Sequence, residues 1–315
     1  MHFGKKLLNV VANFASRFLS RVLLWRVFVK SFQGMSFKAE LNIFLSALID
    51  ILFYALSGWM YNPKTLFSGT YLVKPYGFLI YARGGTEDLY YALPKREGDV
   101  HDFIVNALKP GDVFIDVGAN IGYYSILASR LVDVNGMVFS VEPIPSTVEV
   151  LRFNLKINRL RNVVVIDKAG YFSHDRLKMS IPFKEFGLAS IFRKGGIEVY
   201  VEAIPLDDLF HNIPYIKLIK IDVEGSEYEV LRGLSKTLNN TEYVILEISR
   251  RTYDCLKLLL ERGFKCKKMK FTNYYVCCKG DVVNLPPEKK YDSIIGKFTG
   301  NPFGDGYATE RIVKS

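Results

Sequence analysis

The chain has 315 residues and a formal net charge of +10, and 49% of its residues are hydrophobic. This apolar content is enough for a packed core, which excludes a chain that is disordered throughout. The length suits one large α/β domain with an accessory segment. The basic excess is concentrated in residues 1–39, which contain seven lysines and arginines and no acid. Lipid headgroups, nucleic acid or a solvated positive face would each account for this pattern.

Two apolar stretches precede the main domain, and the first covers residues 7–32. It is interrupted by Arg17, Arg21 and Arg26, which fall on neighbouring turns of a helix. This spacing predicts a basic amphipathic helix.

The second apolar stretch, residues 41–61, is long enough to cross a bilayer. Asp50 lies in the middle of this stretch. The cost of inserting its carboxyl group offsets the gain from the apolar residues, so the free energy of insertion is near zero. We therefore expect residues 1–61 to attach to the cytoplasmic face of a membrane, as helices on its surface or as a returning hairpin. The alternative is a soluble helical cap that is buried on the domain or in a dimer.

The pattern changes after residue 68, and residues 69–280 alternate apolar strands with helices. This predicts a doubly wound α/β fold with a mostly parallel sheet. A hairpin opens the domain at residues 71–74 and 78–82. The predicted strands are residues 113–117, 137–142, 163–167, 216–222, 243–248 and 274–278. The predicted helices are residues 99–108, 121–132, 146–158, 226–234 and 250–262. Residues 177–181 and 198–204 predict an added hairpin, and the tail, residues 281–315, has no clear periodicity.

The four cysteines show no spacing that is typical of a zinc site. They are Cys255, Cys266, Cys277 and Cys278. We expect them to be buried as small apolar residues.

A glycine-containing loop joins the first of these strands to the helix that follows. It begins at Asp116 and reads Gly118, Ala119, Asn120 and, after one residue, Gly122. Ligands of open α/β sheets bind at such carboxyl ends of strands, and glycines allow a tight turn and close approach. The Gly-x-x-x-Gly spacing differs from the Gly-x-Gly-x-x-Gly of dinucleotide loops, which disfavours a nicotinamide-dependent oxidoreductase.

Acidic residues around this loop favour one cofactor. Asp116 would repel a pyrophosphate but attract the ammonium group of a methionine. Glu142, at the end of the second strand, can accept hydrogen bonds from both ribose hydroxyls, which indicates a nucleoside but does not distinguish NAD from S-adenosylmethionine. Asp167 and Ala169 follow the third strand, where an adenine would rest. The sequence therefore predicts S-adenosylmethionine as cofactor, and a cytoplasmic location, where that cofactor is made and used.

Six motifs are spread over residues 85–278. They are Gly85-Thr86 with Asp88, Lys109-Pro110-Gly111-Asp112, the loop from Asp116 to Gly122, Val141-Glu142-Pro143, Asp222-Val223-Glu224-Gly225-Ser226-Glu227 and Leu246-Glu247-Ile248. With these motifs the sequence resembles the FkbM-type methyltransferase family. The resemblance implies a Rossmann-like class I methyltransferase fold, with a seven-stranded sheet and one antiparallel strand, here behind an N-terminal helical extension. It also implies methyl transfer, commonly to hydroxyl groups of sugars or secondary metabolites.

A hydroxyl acceptor requires help because it is a poor nucleophile near neutral pH. The candidates at the end of the fourth strand are Asp222, Glu224 and Glu227. Asp222 is predicted to be the base or a substrate-positioning acid, while Glu224 and Glu227 bind substrate hydroxyls or cap the next helix. A divalent ion between Asp222 and Glu224 is a minor alternative, and no metal site is assigned.

The expected acceptor is a glycan, a glycolipid or a metabolite. The overall charge also suits a nucleic-acid methyltransferase, but acids after the fourth strand would repel phosphates, so no nucleic-acid partner is expected. A membrane-associated scaffold that kept the fold and lost activity is a further alternative.

Overall fold

The computed structural model describes residues 2–182, 185–193, 195–249 and 252–280, with side chains from residue 11 onward. These residues fall into a first unit, residues 2–93, and a second unit, residues 94–280. The first unit thus includes the opening hairpin, which the sequence assigned to the main domain. The predicted tail, residues 281–315, lies outside the described residues.

The first unit combines two long helices with a small antiparallel sheet. Its elements are α1 (His2–Ser31), β1 (Phe32–Gly34), α2 (Phe37–Ser57), β2 (Gly69–Val73), β3 (Phe78–Ala82) and α3 (Asp88–Tyr91). The strand order is β1-β2-β3, and β2 and β3 form the predicted hairpin. The helix predicted from the first apolar stretch is confirmed as α1.

Local signals define both ends of α2. The Ser36 hydroxyl accepts a hydrogen bond from a backbone N–H of the first turn at 3.2 Å, and Gly58 ends the helix in the left-handed conformation. Between these caps, the polar side chains of Asn42, Ser46 and Asp50 are buried. The helix therefore turns its polar side toward the rest of the first unit.

A buried ion pair joins α1 to α2. Arg21 Nε and Nη2 donate to the two carboxylate oxygens of Asp50 at 2.5 and 3.0 Å, and Trp25 Nε1 donates to the same carboxylate at 2.6 Å. Arg21 is 6% exposed. It therefore does not belong to the exposed basic face that the arginine spacing predicted. A buried carboxylate is costly unless it is paired, and the guanidinium fork pairs with both of its oxygens.

The second unit alternates strands and helices. Its strands are β4 (Val113–Val117), β5 (Met137–Val141), β6 (Val163–Ile166), β7 (Ala169–Gly170), β8 (Asp175–Ile181), β9 (Ile197–Ile204), β10 (Ile216–Ile221), β11 (Thr241–Glu247), β12 (Lys265–Lys268) and β13 (Tyr274–Cys278). Its helices are α4 (Gly98–Ala107), α5 (Tyr123–Val132), α6 (Pro145–Ile157), α7 (Asp207–Phe210), α8 (Glu227–Gly233) and α9 (Asp254–Glu261). The predicted strands and helices agree with these to within a few residues.

Seven strands form one sheet in the order β12-β13-β11-β10-β4-β5-β6. Each of β11, β10, β4, β5 and β6 runs parallel to its neighbour, whereas β13 is antiparallel to β11 and to β12. The predicted doubly wound sheet with one antiparallel strand is therefore confirmed. The carboxyl ends of β4, β5 and β10 meet at one edge, which is where such sheets bind ligands.

The central strands are buried on both faces. On one face, Ile115 and Ile219 belong to the apolar core that also includes residues of α8 and α9. On the other face, the strand register places Asp116 of β4 between Lys220 of β10 and Ser140 of β5. A row of three polar side chains therefore crosses the middle of the sheet.

The added hairpin between the third and fourth predicted strands is confirmed. β8 and β9 pair antiparallel, and β9 also pairs parallel with β7, which completes a separate three-stranded sheet. Met179, Ile181 and Val201 pack with Ala169 in a small core of their own. This core anchors the hairpin beside the segment that follows β6.

The prediction that all four cysteines are buried as small apolar residues is wrong for one pair. Cys266 of β12 and Cys277 of β13 are register partners and form a disulfide, with their Cα atoms 4.0 Å apart. Cys255 and Cys278 are buried thiols, as expected. The pairing could not be predicted because β12 is a basic segment without an apolar run and was not recognised as a strand.

Replacing Asp50 by alanine should lower the free energy of unfolding by about 3–5 kcal/mol, because Arg21 would remain buried without its partner. Both tryptophans of the chain, Trp25 and Trp59, lie in the first unit. Urea unfolding followed by tryptophan fluorescence therefore reports this unit. The control is Lys38→Ala at an exposed position of α2, which should change stability by less than ~0.5 kcal/mol. Equal unfolding midpoints for the two variants would contradict this prediction.

Candidate active site and cofactor crevice

The loop between β4 and α5 is a tight turn that is fixed to the neighbouring strand. Gly118, Asn120 and Gly122 all have positive φ, at 83, 50 and 94°. The backbone N–H groups of Gly118 and Ala119 donate to the carbonyl oxygen of Val141, at 2.9 and 3.0 Å. The loop predicted from its glycines therefore adopts the conformation that those glycines allow.

Gly118 has a second reason to be glycine. A Cβ atom at this position would lie 1.9 Å from the carbonyl oxygen of Asp222, the residue that follows β10. The N–H of Asp222 in turn donates to the carbonyl oxygen of Val117 at 3.0 Å. The loops after β4 and β10 therefore touch, with no room for a side chain between them.

Glu142 connects this loop with the segment after β5. Its Oε2 accepts a hydrogen bond from the N–H of Asn120, and its Oε1 accepts one from the N–H of Ile144, both at 3.0 Å. Its side chain is buried. A carboxylate oxygen can accept more than one hydrogen bond, so these contacts are compatible with the predicted binding of ribose hydroxyls.

Asp116 lies beneath the loop and faces α5. Its Oδ2 accepts a hydrogen bond from the Ser125 hydroxyl at 2.7 Å, and Ser125 also receives one from Ser140 at 2.8 Å. Burial raises the pKa of Asp116, although the Lys220 ammonium favours the charged form. Asp116 is 1% exposed. The carboxylate therefore anchors α5, and its predicted contact with a methionine ammonium would depend on its second, buried oxygen.

Two buried acceptor atoms of the loop segment from Asp116 to Gly122 lack a hydrogen-bond partner among the described residues. They are Oδ1 of Asp116 and Oδ1 of Asn120. Unpaired buried acceptors are uncommon in folded proteins and call for an explanation. An ammonium group supplies several donors, so the donor that these acceptors lack is one that a methionine moiety carries.

The two residues predicted for the adenine differ in position. Ala169 is buried and lines a small apolar cavity of about 30 Å³ with Gly118, Val141 and Met179, and this cavity would have to widen to take an adenine. Asp167 is exposed, and its carboxylate pairs with Arg152 at 3.0 Å. The structure therefore brings Ala169 to the crevice, whereas the carboxylate of Asp167 forms a surface ion pair.

A second, acidic pocket of about 280 Å³ lies at the carboxyl ends of β10 and β11. Three carboxylates face it, and it is smaller than the ~300–1,000 Å³ that drug-sized ligands occupy. Its lining residues are Ser190, Phe192, Arg193, Glu224, Gly225, Glu227, Glu247 and Ser249.

Glu224 is held in an unusual conformation at the mouth of this pocket. Its φ is 54°, and its carbonyl oxygen accepts a hydrogen bond from the Ser190 hydroxyl at 2.9 Å. Its carboxylate is 4.0 Å from Arg193 and 27% exposed. Burial and the charges of Asp222 and Glu247 raise the pKa of Glu224 to about 8. This carboxyl group can therefore take up and release a proton near neutral pH.

Glu227 is the first residue of α8 and braces the loop before it. Its Oε1 accepts hydrogen bonds from the N–H groups of Val223 and Gly225, both at 3.2 Å. Burial raises its pKa to about 7 despite these backbone donors. Glu227 lines the pocket, which is compatible with the predicted binding of substrate hydroxyls. Its backbone donors precede α8, so the predicted capping of that helix by its side chain is not observed.

Two neighbouring side chains donate hydrogen bonds to the carboxylate of Asp222. Its Oδ2 accepts hydrogen bonds from Lys220 Nζ at 3.0 Å and from the Tyr274 hydroxyl at 2.8 Å. Burial by itself would raise the pKa of Asp222, but Lys220, Tyr274 and Arg96 outweigh it and lower the pKa. A carboxylate whose pKa is lowered is a weak base, so this geometry favours a positioning role for Asp222 over the predicted role as base.

Lys220 and Tyr274, the two residues that donate to Asp222, were not among the predicted site residues. Lys220 is 2% exposed, and its Nζ lies 5.1 Å from the centre of the Tyr124 ring. The Tyr124 hydroxyl donates to Glu97 at 3.0 Å, and Glu97 pairs with Arg96. The signal in the sequence was a lysine in the middle of an otherwise apolar strand, since buried lysines are rare unless they are paired.

Gly118→Ala should weaken S-adenosylmethionine binding by at least about tenfold, because the new Cβ must displace the backbone of Asp222. Gly111→Ala is the matched control, with a φ of 91° and no atom within 4 Å of the added Cβ. Its backbone strain should cost about 1–2 kcal/mol of stability and leave binding intact. Isothermal titration calorimetry measures both variants, and equal affinities would contradict the close contact.

Comparisons with known proteins identify a family and several relatives for this chain. The model of the methyltransferase FkbM domain matches residues 116–266. Hexuronic acid methyltransferase AglP of Haloferax volcanii is 30% identical over 171 residues, which cover 52% of this chain and 68% of that protein. The 31-O-demethyl-FK506 methyltransferase FkbM of Streptomyces tacrolimicus is 30% identical over 159 residues, which cover 40% of this chain and 61% of that protein. Aeropyrum pernix fibrillarin, solved with S-adenosyl-L-methionine, aligns with a TM-score of 0.37 and 14% identity over 67% of this chain and 92% of that one.

The matched segment, residues 116–266, begins at the acid of the cofactor loop and includes Glu142, Asp222, Glu224 and Glu227. The similarity to AglP extends over more than two thirds of that protein. The chain therefore belongs to the FkbM methyltransferase family and is an S-adenosylmethionine-dependent methyltransferase.

Proposed function

We propose that this methyltransferase acts on a hydroxyl group of a neutral sugar or another polyol, carried by a glycan, a glycolipid or a metabolite. The observation that carries this proposal is the acidic pocket after β10, where Glu224 has a pKa near 8. One relative is named for a hexuronic acid, which supports an acceptor derived from a sugar, and another for 31-O-demethyl-FK506, which supports transfer to oxygen. A hexuronic acid is an anion, so this support concerns the sugar and the oxygen and not the neutrality of the acceptor.

The acidic pocket adjoins the cofactor crevice through the contact of Gly118 with Asp222. Bound S-adenosylmethionine would supply a methyl group attached to a sulfonium. The sulfur is a good leaving group because it departs as a neutral thioether. The chain must then align the acceptor oxygen, exclude water and remove the hydroxyl proton. A pocket that begins two residues after Asp222 is well placed for an acceptor, since the loops that form the pocket and the crevice touch.

Glu224 is the best candidate to accept the proton. It lines the pocket, is partly exposed and has a raised pKa, whereas Asp222 is paired and has a lowered one. Lys220 and Tyr274 hold Asp222 in place, so Asp222 positions the loop that carries Glu224. Glu227 keeps that loop closed through its two backbone hydrogen bonds.

The charge of the pocket favours a neutral acceptor. Glu224, Glu227 and Glu247 face it, and Arg193 is the basic residue among its described lining. Above about pH 8, where Glu224 and Glu227 are ionised, phosphate groups would be repelled here, which disfavours a nucleic-acid acceptor despite the overall charge of +10. Hydroxyl groups of a polyol can donate to carboxylates and accept from Arg193, which suits this lining.

Glu224→Gln should lower kcat/KM by about 10²–10⁴, the usual contribution of a general base. In the parent enzyme, the rate should rise with pH and level off above about 8, because Glu224 must lose its proton before it can accept another. The Gln variant should lack this rise. Asp222→Asn should move the rise to lower pH, because the charge of Asp222 helps to raise the pKa of Glu224. A pH profile that is the same in all three proteins would exclude Glu224 as the base.

The acceptor class can be tested with methyl-labelled cofactor and a cell extract that is fractionated into glycans, glycolipids, small metabolites and nucleic acids. Label is expected in the glycan, glycolipid or metabolite fraction and should be lost with Glu224→Gln. Label confined to RNA would contradict the proposal. Failure to bind S-adenosylmethionine in calorimetry would instead identify an inactive scaffold.

A further inference from the structure

The polarity of α2 is inverted relative to a helix of a water-soluble protein. Its buried side carries the polar residues Asn42, Ser46 and Asp50 beside Ala39, Ile43 and Ala55. Large apolar side chains at helical spacing cover its exposed side instead, with exposed fractions from 38% to 75%. They are Leu41, Phe44, Leu45, Leu48, Ile49, Leu52, Phe53 and Leu56. Surface helices of soluble proteins show the opposite arrangement.

The buried polar side chains of α2 have partners within the first unit. Asn42 Nδ2 donates to the Tyr71 hydroxyl at 2.7 Å, and the Ser46 hydroxyl accepts from the N–H of Leu66 at 2.9 Å. Asp50 pairs with Arg21. These bonds fix which side of the helix faces the protein, so the apolar side cannot turn inward without breaking them.

α1, which packs against α2, also exposes a row of apolar residues. Leu19, Leu23 and Val27 are spaced four residues apart and are 58, 51 and 42% exposed. Soluble monomers rarely expose large apolar patches, so two contacting helices that both expose apolar rows indicate an interaction site.

The charges around this surface are complementary to an anionic bilayer. The exposed charged residues between residues 11 and 58 are Arg26, Lys30 and Lys38, and all are basic. Lys30 lies in the last turn of α1 and Lys38 in the first turn of α2, so the two flank the connection between the helices. Both acids of this range are occupied, since Asp50 pairs with Arg21 and Glu40 accepts a hydrogen bond from the N–H of Gly34.

We propose that the outer face of the α1–α2 pair enters one leaflet of an anionic membrane, with α2 lying along the surface and the basic residues among the headgroups. α2 is long and apolar enough to cross a bilayer by length and composition alone. One side of it is already bonded to the first unit, so only its apolar side is left for lipid, and this favours a helix in the interfacial plane. The proposed function requires a cofactor that is made in the cytoplasm, and with that function the expected side of the membrane is the cytoplasmic face. The docking surface itself does not depend on the identity of the acceptor.

Vesicle flotation with the full-length protein tests this inference. The protein should float with vesicles of phosphatidylcholine and phosphatidylglycerol in equimolar mixture, and less with phosphatidylcholine alone. Leu48→Glu combined with Leu52→Glu should reduce the bound fraction by at least about tenfold, since each leucine would lose its burial in lipid. The matched control is Leu260→Glu, a leucine of α9 that is 57% exposed against 58% for Leu48.

A second variant tests the charge. Arg26→Gln, Lys30→Gln and Lys38→Gln together should abolish the preference for phosphatidylglycerol. Each variant must still bind S-adenosylmethionine in calorimetry, which shows that the second unit is folded and separates this test from that of the proposed function. The inference is overturned if the parent protein stays in solution, or if the double glutamate variant floats like the parent. It is also overturned if light scattering shows a dimer that Leu48→Glu dissociates in the absence of vesicles, because a second copy would then cover this face.

Discussion

The arrangement of the site depends on the contact between the loops after β4 and β10. Gly118 lies so close to the carbonyl oxygen of Asp222 that even a methyl group would not fit. This contact joins two functions that the sequence encodes about a hundred residues apart. The cofactor loop belongs to the first strand of the sheet, and the acidic pocket belongs to the fourth. In this sheet the first strand, β4, runs parallel to and directly beside the fourth, β10, and this topology makes the two loops neighbours.

Buried charge at this junction is arranged as a connected row. Lys220 lies between Asp116 and Asp222, and burial alone would favour its neutral amine, yet these carboxylates raise its pKa. The ammonium in turn lowers the pKa of Asp222, while that charge helps to raise the pKa of Glu224. The pKa of Asp222 is thus lowered while that of the neighbouring Glu224 is raised. Active sites commonly shift pKa values in this way, so that one group stays ionised and the other exchanges protons.

Much of this could be predicted from the sequence, because it depends on short-range patterns. Alternating apolar strands and helices indicated the sheet, and the glycines of the loop indicated a ligand site at its edge. The burial of Asp116 against Ser125 and the pairing of Arg21 with Asp50 could not be predicted. Each of these contacts depends on which face of a helix or strand points toward a residue that is distant in the sequence. The disulfide was missed for a related reason, since it joins a strand that its basic sequence concealed.

The central claim is that the crevice after β4 and β5 holds the nucleoside of S-adenosylmethionine, beside the pocket that takes the acceptor. A crystal structure with S-adenosylhomocysteine tests this most directly. It should show the ribose hydroxyls within hydrogen-bond distance of the Glu142 carboxylate and the adenine against Ala169. A nucleoside that binds away from Glu142, or one that occupies the acidic pocket of Glu224, would contradict the account.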